Sequence, residues 1–193
     1  MSKQKQLILA SASPRRLDLL RAAGIEPKVL VADVEELTAD LPPDELVVAN
    51  ARLKAAAVAA ICDEQAVIVA ADTVVALDEH IFGKPQDKAA AERMLAELSG
   101  RTHSVLTGVA VAQGGEITAA VDETKVTFRA VTAAEIAAYV ATKEPMDKAG
   151  AYAIQGGAAA FVQGYEGAYD NIVGLPMGLL AELLPLTDFK NGN

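Results

Sequence analysis

The sequence predicts an α/β fold: a mixed parallel/antiparallel sheet flanked by helices. Three observations carry this expectation. Segments with the two-residue period of strands alternate with segments of helical period along the chain. Residues Ala66–Ala71 (AVIVAA) form a continuous apolar run, as a central strand covered on both faces would. Two alternating runs, Arg101–Ala112 and Glu116–Arg129, flank a Gly114-Gly115 pair that reads as a hairpin turn. A hairpin needs an antiparallel part, which argues against a purely parallel order.

The elements follow in order. Gln6–Ala10 reads as the first strand. After a Ser-rich turn, Ser13 suits a helix N-cap and Pro14 the first helical position. The helix carries Leu17, Leu20 and Arg21 at helical spacing and stops at Gly24. Lys28–Ala32 is expected as a short apolar strand, and Asp33–Pro43, acidic and proline-ended, as a loop. Asp44 is expected to cap a long Ala-, Val- and Leu-rich helix reaching about Cys62. Past the AVIVAA strand, Val74–Leu77 continues or pairs nearby, and Gly83-Lys84-Pro85 closes a loop. Lys88–Leu98 is helical up to Ser99-Gly100. Thr132 with Glu135 forms a capping box that starts a helix ending near Ala141. Pro145–Gly167, punctuated by glycines, has neither period. It reads as functional loop with short extended pieces such as Ala160–Gln163. A last helix, about Pro176–Leu184, precedes a polar tail.

Composition narrows the function. The 193 residues are 52% hydrophobic and 22% charged, enough for one domain or one domain with two lobes. A net charge of −9 argues against general nucleic-acid binding and sets a repulsive field for any anionic substrate. Local cations or a divalent metal must then overcome that field. Cys62 is the only cysteine, which excludes an intramolecular disulfide, and is expected as a small buried hydrophobe. Met1–Gln6 lacks the shape of a signal peptide and no apolar run reaches membrane-spanning length. A soluble, cytoplasmic protein with no membrane partner is the expectation.

Some residues stand out chemically. Arg15 and Arg16 occupy the first turn of the first helix, the positive end of its dipole, where acids normally belong. They become favourable there if a phosphate shares the same helix end, with Ser11 and Ser13 as hydroxyl donors. Asp72, directly after the apolar strand with Thr73 beside it, is placed to hold a metal or take a proton from water. Glu35 and Glu36 offer oxygen ligands that suit Mg²⁺ or Mn²⁺. Lys54 lies among helical alanines, and Lys84 between Gly83 and Pro85. Neither His80 nor His103 has metal spacing. No GxxxxGK[ST] loop, GxGxxG, GxSxG elbow or Cys/His zinc pattern is present.

Taken together, ASASPRRLDLL at 10–20, the acidic pair at 35–36, Lys54, AADTVV at 70–75, GKP at 83–85 and LSGRTHSVLTGVAV at 98–111 resemble the Maf family of nucleotide pyrophosphatases. The likeness continues through VTFR at 126–129, EPMDKAGAYAIQG at 144–156 and NIVGLP at 171–176. It implies one domain over residues 1–193, an elongated fold similar to inosine triphosphatases with a central cleft between two lobes, and a homodimer. It implies hydrolysis of a nucleoside triphosphate between the α- and β-phosphates with a divalent metal. By this resemblance Asp72 is the proton acceptor, and Arg15, Thr73 and Gln155 fall on positions of substrate choice. The loop DKAGAYAIQG looks like the branch acting on dTTP and UTP, since a Gln amide can pair with the N3–H and a carbonyl of a pyrimidine. Ala153 departs from the glycine common in relatives. Other readings are a 7-methyl-GTP or broader modified-nucleotide pyrophosphatase, or a regulator of septum formation without catalysis. The expected site is Asp72 as the base, with Ser11, Ser13, Arg15, Arg16, Lys54, Thr73, Lys84 and Gln155 around the substrate. Glu35, Glu36 and Asp72 complete it at the metal.

Overall fold

A computed structural model describes residues 6–38, 41–78 and 80–189. Strands β1 (Leu7–Leu9), β2 (Lys28–Val29), β3 (Val67–Leu77), β4 (His80–Phe82), β5 (Thr102–Gln113), β6 (Glu116–Phe128) and β7 (Val162–Glu166) form one seven-stranded sheet. Their order is β2-β1-β3-β5-β6-β7, with β4 paired to β3 off this path. β1 is parallel to β2 and β3, whereas β3–β4 and β6–β7 are antiparallel, so the sheet is mixed. The helices are α1 (Pro14–Ala22), α2 (Pro43–Ala59), α3 (Lys88–Leu98), α4 (Ala133–Ala141), α5 (Tyr169–Val173) and α6 (Met177–Leu183). None of the described helices is long and apolar enough to cross a membrane. The reading of Met1–Gln6 falls mostly outside the described residues.

The chain clusters into two compact units. The first comprises Met1–Asp72, Thr107–Asp122 and Gly174–Asn193; the second comprises Thr73–Leu106 and Glu123–Val173. In the first unit, the two-residue period of β3 sorts its side chains to two faces. Val67, Val69 and Ala71 join Leu9, Leu20, Leu175 and Leu180 in one core cluster. Ile68 and Ala70 join Ala51, Ala55 and Val58 of α2 in the other. The α2 helix sits close to the sheet because Gly108 of β5 leaves room: a Cβ there would collide with the backbone carbonyl of Val47.

In the second unit, α3 packs on α4. Thr132 and Glu135 form the expected capping box at α4. Gly114 and Gly115, in the first unit, both have positive φ (59° and 84°), the requirement of a tight hairpin turn whose twist matches its strands. The core of the second unit is aromatic. His103 is 2% exposed and stands edge-on to Phe128 and Tyr152, with its Nε2 2.8 Å from the Tyr152 hydroxyl. Its Nδ1 has no hydrogen-bond partner among the described residues. Burial disfavours the imidazolium and lowers the His103 pKa to about 4. The unfolded chain therefore binds this proton at higher pH than the folded one, so stability is full above pH 6.5 and declines towards pH 4. The loss at pH 5 is expected to be about 2 kcal/mol, with a limit of roughly 3 kcal/mol below pH 4. Urea unfolding at pH 7 and pH 5 measures it, and His103→Gln should flatten the dependence.

Several expectations need correction. The second strand shrinks to Lys28–Val29, both exposed, because only these residues find a register partner on β1. Helix α2 starts at Pro43 with Pro42 as its N-cap, so Asp44 lies inside the first turn and complements the dipole instead of capping it. The Ser13 side chain makes no cap hydrogen bond; the Ser13 N–H donates to Ser11 Oγ instead. Cys62 lies beyond α2 in a bend and is half-buried. The apolar strand runs on past Ala71 to Leu77, because β4 pairs with its second half. Within Pro145–Gly167, three 3-10 turns precede β7, and residues 160 and 161 belong to the third of them. Strand β4 and helix α5 are too short for a periodic signal, and their local sequence does not announce them.

Candidate active site

In the first unit, the parallel pairing of β1 with β3 ends where the Ala10 N–H donates to the Val69 carbonyl. Beyond it, β1 turns away through Ser11 into α1, while β3 continues through Ala71 to Asp72. Asp72 is therefore not at the end of its own strand, but it lies past the carboxyl end of the parallel neighbour. Such positions open a crevice in α/β sheets.

Departure of β1 leaves a gap that Arg16 fills. The Ala71 carbonyl has the parity of Val69 and faces the vacated side. Arg16 donates Nη1–H to that carbonyl at 2.8 Å and to Ser11 Oγ at 3.0 Å, and Nε–H to the Gly174 carbonyl at 2.7 Å. Burial pulls the Arg16 pKa down to about 10. Asp72 and Glu36 favour its charge while Arg15 repels it, and the group stays a cation at neutral pH. Arg15, half-buried beside it, makes no hydrogen bond or ion pair with the described residues. The first turn of α1 contains no acid.

Asp72 shares the parity of Ile68 and Ala70 and so faces α2. It is 8% exposed. Two α2 residues one turn apart meet it. Lys54 Nζ lies 2.7 Å from Asp72 Oδ1, and Asn50 Nδ2 donates to Oδ2 at 3.2 Å. The same ammonium lies 2.9 Å from Glu36 Oε1, so one cation joins the strand acid to the acidic loop. Glu35 is exposed. Among the described residues, no three His, Cys, Asp or Glu side chains converge as a metal cluster would.

Thr73, Lys84 and Gln155 belong to the second unit. Lys84 is exposed in a loop held by the Gly150 N–H donating to the Gly83 carbonyl. Gln155 is exposed in a turn tied at both ends: the Ala153 N–H donates to the Tyr139 hydroxyl and the Gly157 N–H to the Glu144 carboxylate. The structure thus brings together Ser11, Arg16, Glu36, Lys54 and Asp72. It adds Asn50 to them, which no local pattern marks because its partners are a loop backbone and an acid 22 residues away; Tyr139 and Glu144, which tie the Gln155 turn within the second unit, are likewise unmarked.

The mixed sheet with helices packed on it defines an α/β protein, with a carboxylate–ammonium pair between β3 and α2 and two arginines at the start of α1. The chain belongs to the family of Maf-like proteins, whose sequence profile matches residues 6–186. The dTTP/UTP pyrophosphatase of Pelotomaculum thermopropionicum is 48% identical to it over 183 residues, 93% of this chain and 95% of that protein. The protein of the same name from Geotalea uraniireducens is 51% identical over 181 residues, 92% of each chain. A solved HAM1 protein structure from Coxiella burnetii aligns with 94% of this chain and 98% of that one, at 18% identity and a TM-score of 0.48.

Proposed function

We propose that this chain is a nucleoside triphosphate pyrophosphatase that hydrolyses dTTP and UTP to the nucleoside monophosphate and pyrophosphate. The observation that carries the reading is the Asp72 carboxylate, buried yet held between Lys54 and Asn50. The names of its relatives support the substrate. Water attacks the phosphoanhydride between the α- and β-phosphates, Asp72 accepts its proton, and pyrophosphate leaves. No covalent enzyme intermediate is needed.

Cations answer the chain's net negative charge. Arg15, whose guanidinium has no hydrogen-bond or ion-pair partner among the described residues, is assigned to the phosphates, with Ser11, Ser13, Lys54 and Lys84. Arg16 braces the strand end and adds its charge from behind. A divalent cation, Mg²⁺ or Mn²⁺, is assigned to Glu36 and Asp72 with Glu35 adjacent. The fit is chemical: Glu36 and Asp72 already direct one oxygen each at a single cation, the Lys54 ammonium. Bound there, the metal would neutralise phosphate charge. Thr73 and Gln155 are assigned to choice of base. The family resemblance supports a single catalytic domain that works as a cytoplasmic homodimer.

The test is pyrophosphate release from dTTP, UTP, CTP, GTP and 7-methyl-GTP, with Mg²⁺ and with Mn²⁺. The highest kcat/KM is expected for UTP and dTTP. A preference for 7-methyl-GTP would overturn the substrate assignment and leave the reaction class standing.

A further inference from the structure

Asn50 lies on α2 one turn before Lys54 and is 3% exposed. Its amide uses both N–H donors and its oxygen in two directions. Oδ1 accepts from the Leu37 N–H at 2.8 Å, and Nδ2 donates to the Leu37 carbonyl at 3.3 Å and to Asp72 Oδ2 at 3.2 Å. The Leu37 N–H can only donate, so Oδ1 must face it and Nδ2 is left for Asp72. The orientation of the amide is thereby determined by backbone.

A buried amide next to Ala51 costs free energy unless its polar atoms are matched, and a helix face needed only for packing is served by an apolar residue. Here every polar atom is matched, and the partners are the two acidic parts of the site. The bonds to Leu37 hold the loop that follows Glu35 and Glu36 against α2, as a strand partner would. The bond to Asp72 sets the rotation of its carboxylate so that Oδ1 meets Lys54. We infer that Asn50 is a positioning residue that couples the acidic loop to Asp72, keeping Glu36 and Asp72 on the same ammonium. This rests on the assignment of Asp72 as proton acceptor.

Two variants test it. Asn50→Leu has similar volume and none of the hydrogen bonds. Asn50→Asp keeps an acceptor for the Leu37 N–H and loses the donor to Asp72. Both are expected to lower kcat for UTP by about 10–100-fold with KM changed less than about threefold, since misplacing a catalytic group costs turnover more than binding. Hydrogen exchange at the Leu37 amide should accelerate in Asn50→Leu and stay protected in Asn50→Asp. Folding is checked by thermal melting, and Asn50→Asp decides alone if Asn50→Leu does not fold. Parental kcat in a folded variant, beside an inactive Asp72→Asn, overturns this inference and spares the assignment of Asp72. An active Asp72→Asn overturns both.

Discussion

Asp72→Asn is expected to fold like the parent and to lose about 10²–10⁴-fold in kcat for UTP, the usual contribution of a positioned general base. The substitution preserves size at a site that is 8% exposed, so no cavity forms. It also leaves Lys54 with a partner, because Glu36 Oε1 stays 2.9 Å from the ammonium. What disappears is the carboxylate to which the proton of the attacking water is assigned. Pyrophosphate release against UTP measures the loss, with circular dichroism and thermal melting as the check on folding. Near-parental release would remove Asp72 from its assigned role.

Lys54→Met is expected to damage both stability and turnover. The Lys54 and Asp72 side chains are 17% and 12% exposed, so their pairing is little screened by water. Removing one partner of such a pair strands a carboxylate, at a cost of about 3 kcal/mol. Turnover should fall about 10²–10³-fold as the ammonium assigned to the phosphates disappears. The double variant Lys54→Met/Asp72→Asn separates the two effects. With both charges gone, most of the stability returns while activity stays lost. Urea denaturation and UTP turnover of the single and double variants give the cycle. A double variant as unstable as the sum of its parts would show that the pair is not coupled.

Much of the fold was legible in local signals. The Pro14 start and Gly24 stop bracket α1, whose observed span is Pro14–Ala22. Helix α3 occupies its expected residues Lys88–Leu98, and α4 begins at its capping box. The hairpin follows from two glycines able to take positive φ. Asp72 stood out because a carboxylate directly after a buried apolar run needs a reason. Signals that depend on a partner were misread. Lys28–Ala32 has strand composition but only two residues in register with β1. Ser13 has the chemistry of a cap, yet the bond it was expected to accept is replaced by one its own N–H gives to Ser11.

The arginine pair shows where the two kinds of information divide. Sequence alone determined that cations crowd the start of α1, that an acid follows a central strand, and that lysines and a Gly-rich loop stand elsewhere, because periodicity and capping are properties of neighbouring residues. Tertiary structure decided what each of them meets. Arg16 is committed to carbonyls 55 and 158 residues away, and Arg15 makes no hydrogen bond or ion pair among the described residues. Lys54 reaches an acid 18 residues on, and Asn50 closes the link to the acidic loop. These pairings depend on the point at which β1 leaves β3 and on the face of β3 that α2 covers. Both are set by packing among residues distant in sequence, which no local pattern encodes.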